Sequence, residues 1–443
     1  MRAMKDSGIE WIGQIPQEWS VGKTIFGLEM PITDGPHETP QLYSEGIPFV
    51  SAEAVSTGDG KINFDNIRGY ISREYYEECC KKYVPRKEDI YMIKSGATTG
   101  KVAIVDTDDI FTIWSPLAVF RCNKDSLNSR FLLYTLQSDY FQTQVESKWS
   151  LGTQQNIGMR TLERLLICYP SIGEQERIAE YLDTKCADID ALIAAKEKTN
   201  SLLKERRQSI IYEAVTKGLN PDAPMKDSGI EWIGEIPEHW ERISLKYCIQ
   251  HVGSGTSVNA EDRPANTDEM GVLKTSCVSS GAFVAVENKT ILEGEHDRAS
   301  CPVKADTVIV SRMNTPDLVG ACGYVEEDYP NLYLPDRLWQ VEFSEDCVAK
   351  YMWYFLTSKY VRNYYTSVCT GTSGSMQNIS QDQFGAIVFF KPAKEEQQRI
   401  VEQLDLECNV LTQLLRINEL SLSKLKEYRQ SIIYEAVTGK IEV

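Results

Sequence analysis

Four short polar segments contain the residues that are best suited to contact another molecule. Residues 94–101 (KSGATTGK) and 311–316 (SRMNTP) each follow a run that predicts a strand, whereas residues 148–156 (KWSLGTQQN) and 370–378 (TGTSGSMQN) each precede a predicted helix. Glycine lets backbone amides approach phosphate, and Arg, Asn and Gln side chains can make paired hydrogen bonds to base edges. The same residue types also favour surface turns. Their occurrence at equivalent places in both halves favours binding for the set.

The side chains expected to contact DNA are polar or basic and lie in or beside these segments. They are Lys94, Ser95, Thr98, Thr99, Lys101, Lys148, Gln154, Gln155, Asn156, Arg160, Arg312, Asn314, Thr315, Arg337, Ser373, Ser375, Gln377 and Asn378.

Residues typical of catalytic and metal centres are scarce. The chain has four histidines, and its 12 cysteines form no C-x-x-C pair. Residues 96–102 fall one residue short of a phosphate-binding P-loop, and neither the H-E-x-x-H nor the G-x-S-x-G motif occurs. We therefore expect a chain that is not itself an enzyme, with no metal ligands and with reduced thiols.

Charge and hydropathy limit the function further. The net charge of −17 opposes binding to phosphate, so a DNA-binding role requires local basic loops or a partner that supplies positive charge. No apolar run approaches the roughly 18 residues of a membrane span, and the polar residues 1–11 do not resemble a signal peptide. These features predict a cytoplasmic location.

The chain consists of two copies of one design. Met4–Trp19 recurs as Met225–Trp240, and Leu203–Thr216 recurs as Leu425–Thr438 with a single difference. The two bodies between these repeats are much less alike, and both mix short β-branched and aromatic runs with Gly and Pro turns. The repeat therefore predicts two mixed α/β bodies in tandem, each built around a curved, largely antiparallel sheet.

Each copy ends in a long stretch of regularly spaced apolar residues. Steps of three and four residues run from Ile178 to Ala214 and again from Ile400 to Ala436. An amphipathic helix lying on its own domain would show the same spacing, but two such stretches without Pro or Gly favour two long helices paired through a heptad-like seam. Shorter helices are expected over residues 129–145 and 349–365.

The order of these motifs resembles the specificity subunits of Type I restriction–modification systems. The residues that carry the resemblance are KDSGIEWIG at 5–13 and 226–234, E-Q-x-R-I at 174–178, and RQSIIYEAVT at 207–216. The resemblance implies two target-recognition domains that each read one half of a split DNA sequence, spaced by two antiparallel helices. It also implies scaffolding of two adenine-methylating subunits and of translocating endonuclease subunits. S-adenosylmethionine, ATP and magnesium would belong to those partners, with no cofactor on this chain.

On this basis the fold class is α+β, with target-recognition domains at 1–171 and at 219–393, the latter beginning with a linker. The paired helices are expected at 172–218 and 394–443. Two other functions remain open from the residues alone. One is a tandem adaptor that binds a peptide, a carbohydrate or another non-DNA ligand, and the other is a regulatory subunit that clamps a methyltransferase without reading DNA. A neighbouring gene for an adenine methyltransferase would argue against the adaptor.

Overall fold

Both copies of the repeat contain a similar succession of short strands and helices that ends in a long helix. The computed structural model describes residues 2–57, 59–151, 154–231, 233–373 and 376–443. The chain divides into two compact units, one formed by Met1–Glu197 with Leu420–Val443 and the other by Lys198–Glu419.

The first copy contains fourteen strands among the described residues. They are Met4–Asp6, Gln14–Pro16, Ser20–Lys23, Thr33–Asp34, Ile47–Val50, Gly60–Lys61, Tyr70–Ile71, Ile90–Ile93, Val102–Ile104, Thr112–Ile113, Leu117–Phe120, Ser150–Leu151, Gln155–Asn156 and Leu166–Tyr169. Its α-helices are Ala52–Val55, Arg73–Cys80, Ser129–Gln137, Asp139–Lys148, Met159–Leu162 and Ile172–Lys217, with 3-10 turns at Thr24–Gly27 and Phe64–Asn66.

The second copy contains sixteen strands among the described residues. They are Met225–Asp227, Glu235–Pro237, Glu241–Ser244, Ile249–Ser254, Ala260–Glu261, Gly271–Leu273, Asn288–Ile291, Pro302–Val303, Thr307–Ser311, Met313–Asn314, Cys322–Val325, Tyr329–Tyr333, Leu338–Phe343, Thr370–Ser373, Met376–Asn378 and Val388–Lys391. Its α-helices are Ala349–Thr357, Lys359–Val368, Gln381–Gly385 and Lys394–Val437, with 3-10 turns at Leu245–Tyr247, Thr275–Val278 and Glu293–Arg298.

The sheets are mainly antiparallel, as predicted. In the first unit, Leu117–Phe120 and Val102–Ile104 both pair antiparallel with Ile90–Ile93, whose four residues are all buried. In the second unit, Leu338–Phe343 and Cys322–Val325 flank Thr307–Ser311 in the same way. Continuous apolar runs suit such central strands, because both faces of the strand are covered.

The prediction of single helices over 129–145 and 349–365 is wrong. Each region forms two helices, separated at Ser138 and at Ser358. Both serines have extended backbone angles and are buried, and each donates its backbone N–H three residues back, to Thr135 or to Phe355. The apolar spacing continues across the break, so periodicity alone did not reveal it.

The two long helices pair antiparallel within each unit. We call Ile172–Lys217 the first closing helix and Lys394–Val437 the second closing helix. In the first unit, the N-terminal part of the first closing helix packs with the C-terminal part of the second, and Arg429 Nε donates to Asp190 Oδ1 at 2.8 Å. In the second unit the roles are exchanged, and Asn418 Nδ2 donates to Asn200 Oδ1 at 2.8 Å.

The repeated opening segments are explained by their packing against these helices. Trp19 and Trp240 are both fully buried, and their indole N–H groups donate to Glu174 and Glu396 at 3.2 Å in each unit. These glutamates begin the E-Q motif of each closing helix. The near-identical repeats therefore encode one packing arrangement that occurs twice.

No helix among the described residues combines the length and apolar character of a transmembrane span. The 12 cysteines are all free thiols, and nine of them are buried.

Candidate nucleic-acid interface

In the first unit, the structure brings two of the polar segments together. Residues 94–101 leave the buried strand Ile90–Ile93, and Ser150–Leu151 pairs antiparallel with Gln155–Asn156, a strand pair that we call the hairpin. Ser95 forms a β-bridge with Asn156, and the Gly96 N–H donates to the Gln155 carbonyl at 3.0 Å. Thr99 Oγ1 donates to the Gly96 carbonyl at 2.7 Å. The loop and the hairpin are therefore one hydrogen-bonded surface.

The second unit repeats this arrangement with different side chains. Strand Met376–Asn378 pairs with Thr370–Ser373 on one side and with Met313–Asn314 on the other, so Asn314 lies opposite Gln377. The Ile379 N–H donates to the Arg312 carbonyl at 2.9 Å. In the first unit, the Ile157 N–H donates to the Lys94 carbonyl at the same distance. Lys94 and Arg312 thus occupy equivalent places.

The described residues within 148–156 and 370–378 form paired strands, whereas their composition favours turns. Gly and Ser suggested turns, and strand pairing overrides that preference because the backbone N–H and carbonyl groups find partners on the neighbouring segment. The predicted strands and helices that flank these segments are present.

Several candidate side chains in the first unit lie at the surface. Thr98, Lys101, Lys148, Gln154, Asn156 and Arg160 are exposed, whereas Ser95, Thr99 and Gln155 are half-buried. Among the described residues, no carboxylate forms an ion pair with Lys101, Lys148 or Arg160. Lys148 ends a helix, and Arg160 lies in the short helix Met159–Leu162. Among the described residues, no hydrogen bond or ion pair joins either side chain to the 94–101 loop.

Lys94 is held differently from the other basic residues. Its side chain is only 14% exposed, and its Nζ lies 3.3 Å from the Oδ2 of Asp34, a carboxylate that is 1% exposed. Lys82 pairs with the same carboxylate, and His37 Nε2 lies 3.2 Å from it. Asp34 therefore neutralises part of the positive charge beneath the loop. It lies sixty residues away in the chain, and no motif marked it.

In the second unit, the candidate side chains are partly tied to the protein itself. Arg312 Nε donates to the Asp336 carbonyl at 2.7 Å, and Asn314 Nδ2 donates to Ser311 Oγ at 3.2 Å. Thr315 and Arg337 are exposed, and Gln377 and Asn378 are half-buried. Ser373 ends a strand whose side chains are not described, and Ser375 lies outside the described residues.

The chemistry of both surfaces is that of recognition by hydrogen bonds. Each presents side-chain amides on a segment that is bonded to one carrying a basic residue. Gln155 and Asn156 are bonded to the loop that ends at Lys101, and Gln377 lies opposite Asn314, which follows Arg312 by two positions. Amides can read donors and acceptors on base edges, and cations can contact phosphates. Within the described ranges, no group of three His, Cys, Asp or Glu side chains is arranged to hold a metal ion.

Comparison with known proteins identifies the same class. Residues 38–203 match the family model described as "Type I restriction modification DNA specificity domain". The resemblance to Type I specificity subunits is confirmed. The chain is 25% identical over 328 residues to the EcoKI specificity subunit of Escherichia coli (strain K12), covering 71% of this chain and 66% of that subunit. It is 22% identical over 435 residues to the MjaVIII specificity subunit of Methanocaldococcus jannaschii, covering 97% of this chain and 94% of that subunit.

A solved structure shows the fold. It was determined to describe complex assembly and conformational transition of the type I R-M system, and it superposes with a TM-score of 0.67 at 15% identity, covering 96% of this chain and 99% of that chain. The first curated relatives are matched over less than two thirds of their own length, namely 66% for the EcoKI subunit and 53% for the MjaX subunit of Methanocaldococcus jannaschii.

Proposed function

We propose that this chain is the DNA-recognition subunit of a Type I restriction–modification complex. The observation that carries the proposal is the paired surface: a polar loop joined to a hairpin at equivalent places in two units, within a fold shared with a Type I structure. The family-model match over residues 38–203 covers the surface of the first unit.

The target would be bipartite and asymmetric. Equivalent backbone contacts hold Lys94 in one unit and Arg312 in the other, and the side chains around them differ. Two different sets of donors and acceptors read two different half-sites, each through the major groove, where each base pair presents a distinct pattern.

Tight binding would require partner subunits. The net charge is −17, and Lys94 is paired with Asp34. Counterion release from phosphates supplies most nonspecific affinity, so a chain with this charge binds weakly alone. Two methyltransferase subunits and the restriction subunits would supply the remaining contacts, bind S-adenosylmethionine, ATP and magnesium, and perform catalysis. This chain would act as a non-catalytic scaffold in the cytoplasm.

The test uses a matched pair of substitutions in the assembled complex. Gln155 and Gln377 occupy equivalent positions, and neither side chain has a hydrogen-bond partner among the described residues. If each reads a base edge, Gln155→Ala and Gln377→Ala should each weaken binding by about 1–3 kcal/mol. Each substitution should relax sequence preference in one half-site only.

The readout is methylated-adenine mapping in cells that carry each variant, together with gel shifts of the purified complex. Glu176→Ala, which changes an exposed side chain on the first closing helix, serves as the assembly control. A methylome with a single continuous palindrome, or identical effects of both Gln variants on both half-sites, would contradict the proposal.

A further inference from the structure

Arg207 and Arg429 are equivalent residues of the repeated closing helices, but they have different hydrogen-bond partners in the two units. In the first unit, Arg429 is neutralised by Asp190, with Nε 2.8 Å from Oδ1 and Nη2 3.3 Å from Oδ2. A planar guanidinium and a carboxylate that meet through two hydrogen bonds form one of the stronger polar contacts in proteins.

The second unit lacks this carboxylate. Counting from the shared cysteine, Cys186 in the first unit and Cys408 in the second, the position of Asp190 is taken by Thr412. The Thr412 hydroxyl is uncharged, and it already donates its hydrogen to the Cys408 carbonyl at 2.7 Å. Arg207 Nε is buried without a hydrogen-bond partner among the described residues.

A neighbouring tyrosine–aspartate hydrogen bond occurs in both units. Tyr134 donates to Asp183 at 2.9 Å in the first unit, and Tyr354 donates to Asp405 at 2.7 Å in the second. One difference between the units is that Arg429 has a carboxylate partner and Arg207 has none among the described residues. An unsatisfied buried donor on a cation is costly, and natural proteins seldom retain one without a ligand or water.

A cavity lies where the missing carboxylate would be. It has a volume of about 340 Å³, and both Arg207 and Thr412 line it. Phe283, Tyr329 and Trp353 form an aromatic wall. The size falls within the range of small-molecule sites, which combine apolar walls with a few polar groups.

The other charged groups of the cavity are one lysine and two carboxylates, which pair with each other. Lys350 Nζ lies 2.9 Å from Asp405 and 3.4 Å from Glu326, both of which also line the cavity. Of the two cations in the cavity, Arg207 is the one that forms no ion pair among the described residues.

We propose that Arg207 and this cavity form a binding site for a small oxyanion, a carboxylate or a phosphate, which replaces the side chain that Asp190 supplies in the first unit. The oxyanion accepts hydrogen bonds from the guanidinium, and any flat apolar part of the ligand lies against the aromatic wall.

Isothermal titration of the full chain, in a buffer free of both anions, tests the site with inorganic phosphate and with acetate as separate probes. We expect one site per chain, and the tighter of the two probes identifies the preferred group. Because hydrogen bonds to charged groups are roughly twice as strong as neutral ones, Arg207→Gln should weaken binding about tenfold to a hundredfold.

Thr412→Asp is the decisive variant because it keeps Arg207 and gives it the carboxylate found in the first unit. It should abolish binding of both probes. Arg429→Gln is the matched control and should leave the affinity unchanged, since Asp190 already occupies that guanidinium. Failure of both probes to bind the unaltered chain would overturn the proposal. So would retained binding in Thr412→Asp, or equal weakening by Arg207→Gln and Arg429→Gln.

Discussion

Gln397 connects the second closing helix to the body of its unit, and its replacement by leucine should be strongly destabilising. Its side chain is fully buried. Its Oε1 accepts from the Val348 N–H at 2.8 Å, and its Nε2 donates to the carbonyls of Pro392 at 3.0 Å and Asp346 at 3.2 Å. Val348 is the N-cap of the helix Ala349–Thr357 and has no side-chain cap of its own.

Leucine would remove the partner of three backbone groups, namely the buried Pro392 carbonyl and the less buried Val348 N–H and Asp346 carbonyl. At about 1 kcal/mol for each lost hydrogen bond, with desolvated groups left behind, the cost is about 3 kcal/mol. A unit of this size shifts its melting temperature by about 2–4 °C per kcal/mol, so the transition of the second unit should fall by about 6–12 °C.

Differential scanning calorimetry of the full chain measures this shift. The neighbouring residue provides the control: Gln398 is exposed, and Gln398→Leu should change stability by no more than about 0.5 kcal/mol. If Gln397→Leu melts within about 2 °C of Gln398→Leu, the hydrogen bonds of Gln397 do not hold the helix start as inferred.

Three further predictions concern stability. Asp89 is buried and pairs with Arg121 through two contacts of 2.7 Å, so Asp89→Ala should cost about 3–5 kcal/mol in urea unfolding, and a loss below 1 kcal/mol would be inconsistent with a buried pair. Burial raises the pKa of Cys122 from 9.0 to about 12, so on raising the pH the thiol ionises first in the unfolded chain. The contribution of this thiol to the free energy of unfolding should be constant below pH 9 and decline between pH 9 and 12 by up to about 1.4 kcal/mol per pH unit. Thermal melts of Cys122→Ala should lack this part of the decline. Gly439 and Gly218 both have positive φ, but only at Gly439 would a new Cβ lie 2.4 Å from Pro16. Gly439→Ala should therefore lower the melting temperature more than Gly218→Ala does, and equal melting temperatures would contradict this.

The large elements were predictable because their signals are local and repeated. Apolar spacing without Pro or Gly defined both closing helices, and the recurrence of Met4–Trp19 implied equivalent packing in two places. The break at Ser138 was missed because the apolar period continues through it, whereas a buried serine in extended conformation depends on tertiary contacts.

The candidate interface was predictable only in part, for a similar reason. Gly, Ser and Gln in residues 94–101 and 148–156 indicated polar surfaces, and the structure joins them. The pairing of Lys94 with Asp34 depends on a contact across sixty residues. The pairing of Ser150–Leu151 with Gln155–Asn156 depends on partners that the composition of the segment does not reveal. Whether the candidate side chains contact DNA remains a prediction.

The first unit is built from two stretches that are far apart in the chain, Met1–Glu197 and Leu420–Val443, and this has a consequence for biosynthesis. The Tyr434 hydroxyl donates to the Trp11 carbonyl across 423 positions of the chain. At about 5–20 residues per second, a ribosome needs roughly 20–85 s to make the second partner after the first. During that interval Ile9, Ile12 and Trp19 lack the apolar residues near Ala436 that cover them in the finished unit. Until translation is complete, the newly made chain thus exposes an apolar surface. Chaperones, or the closing helix of another nascent chain, can bind to this surface.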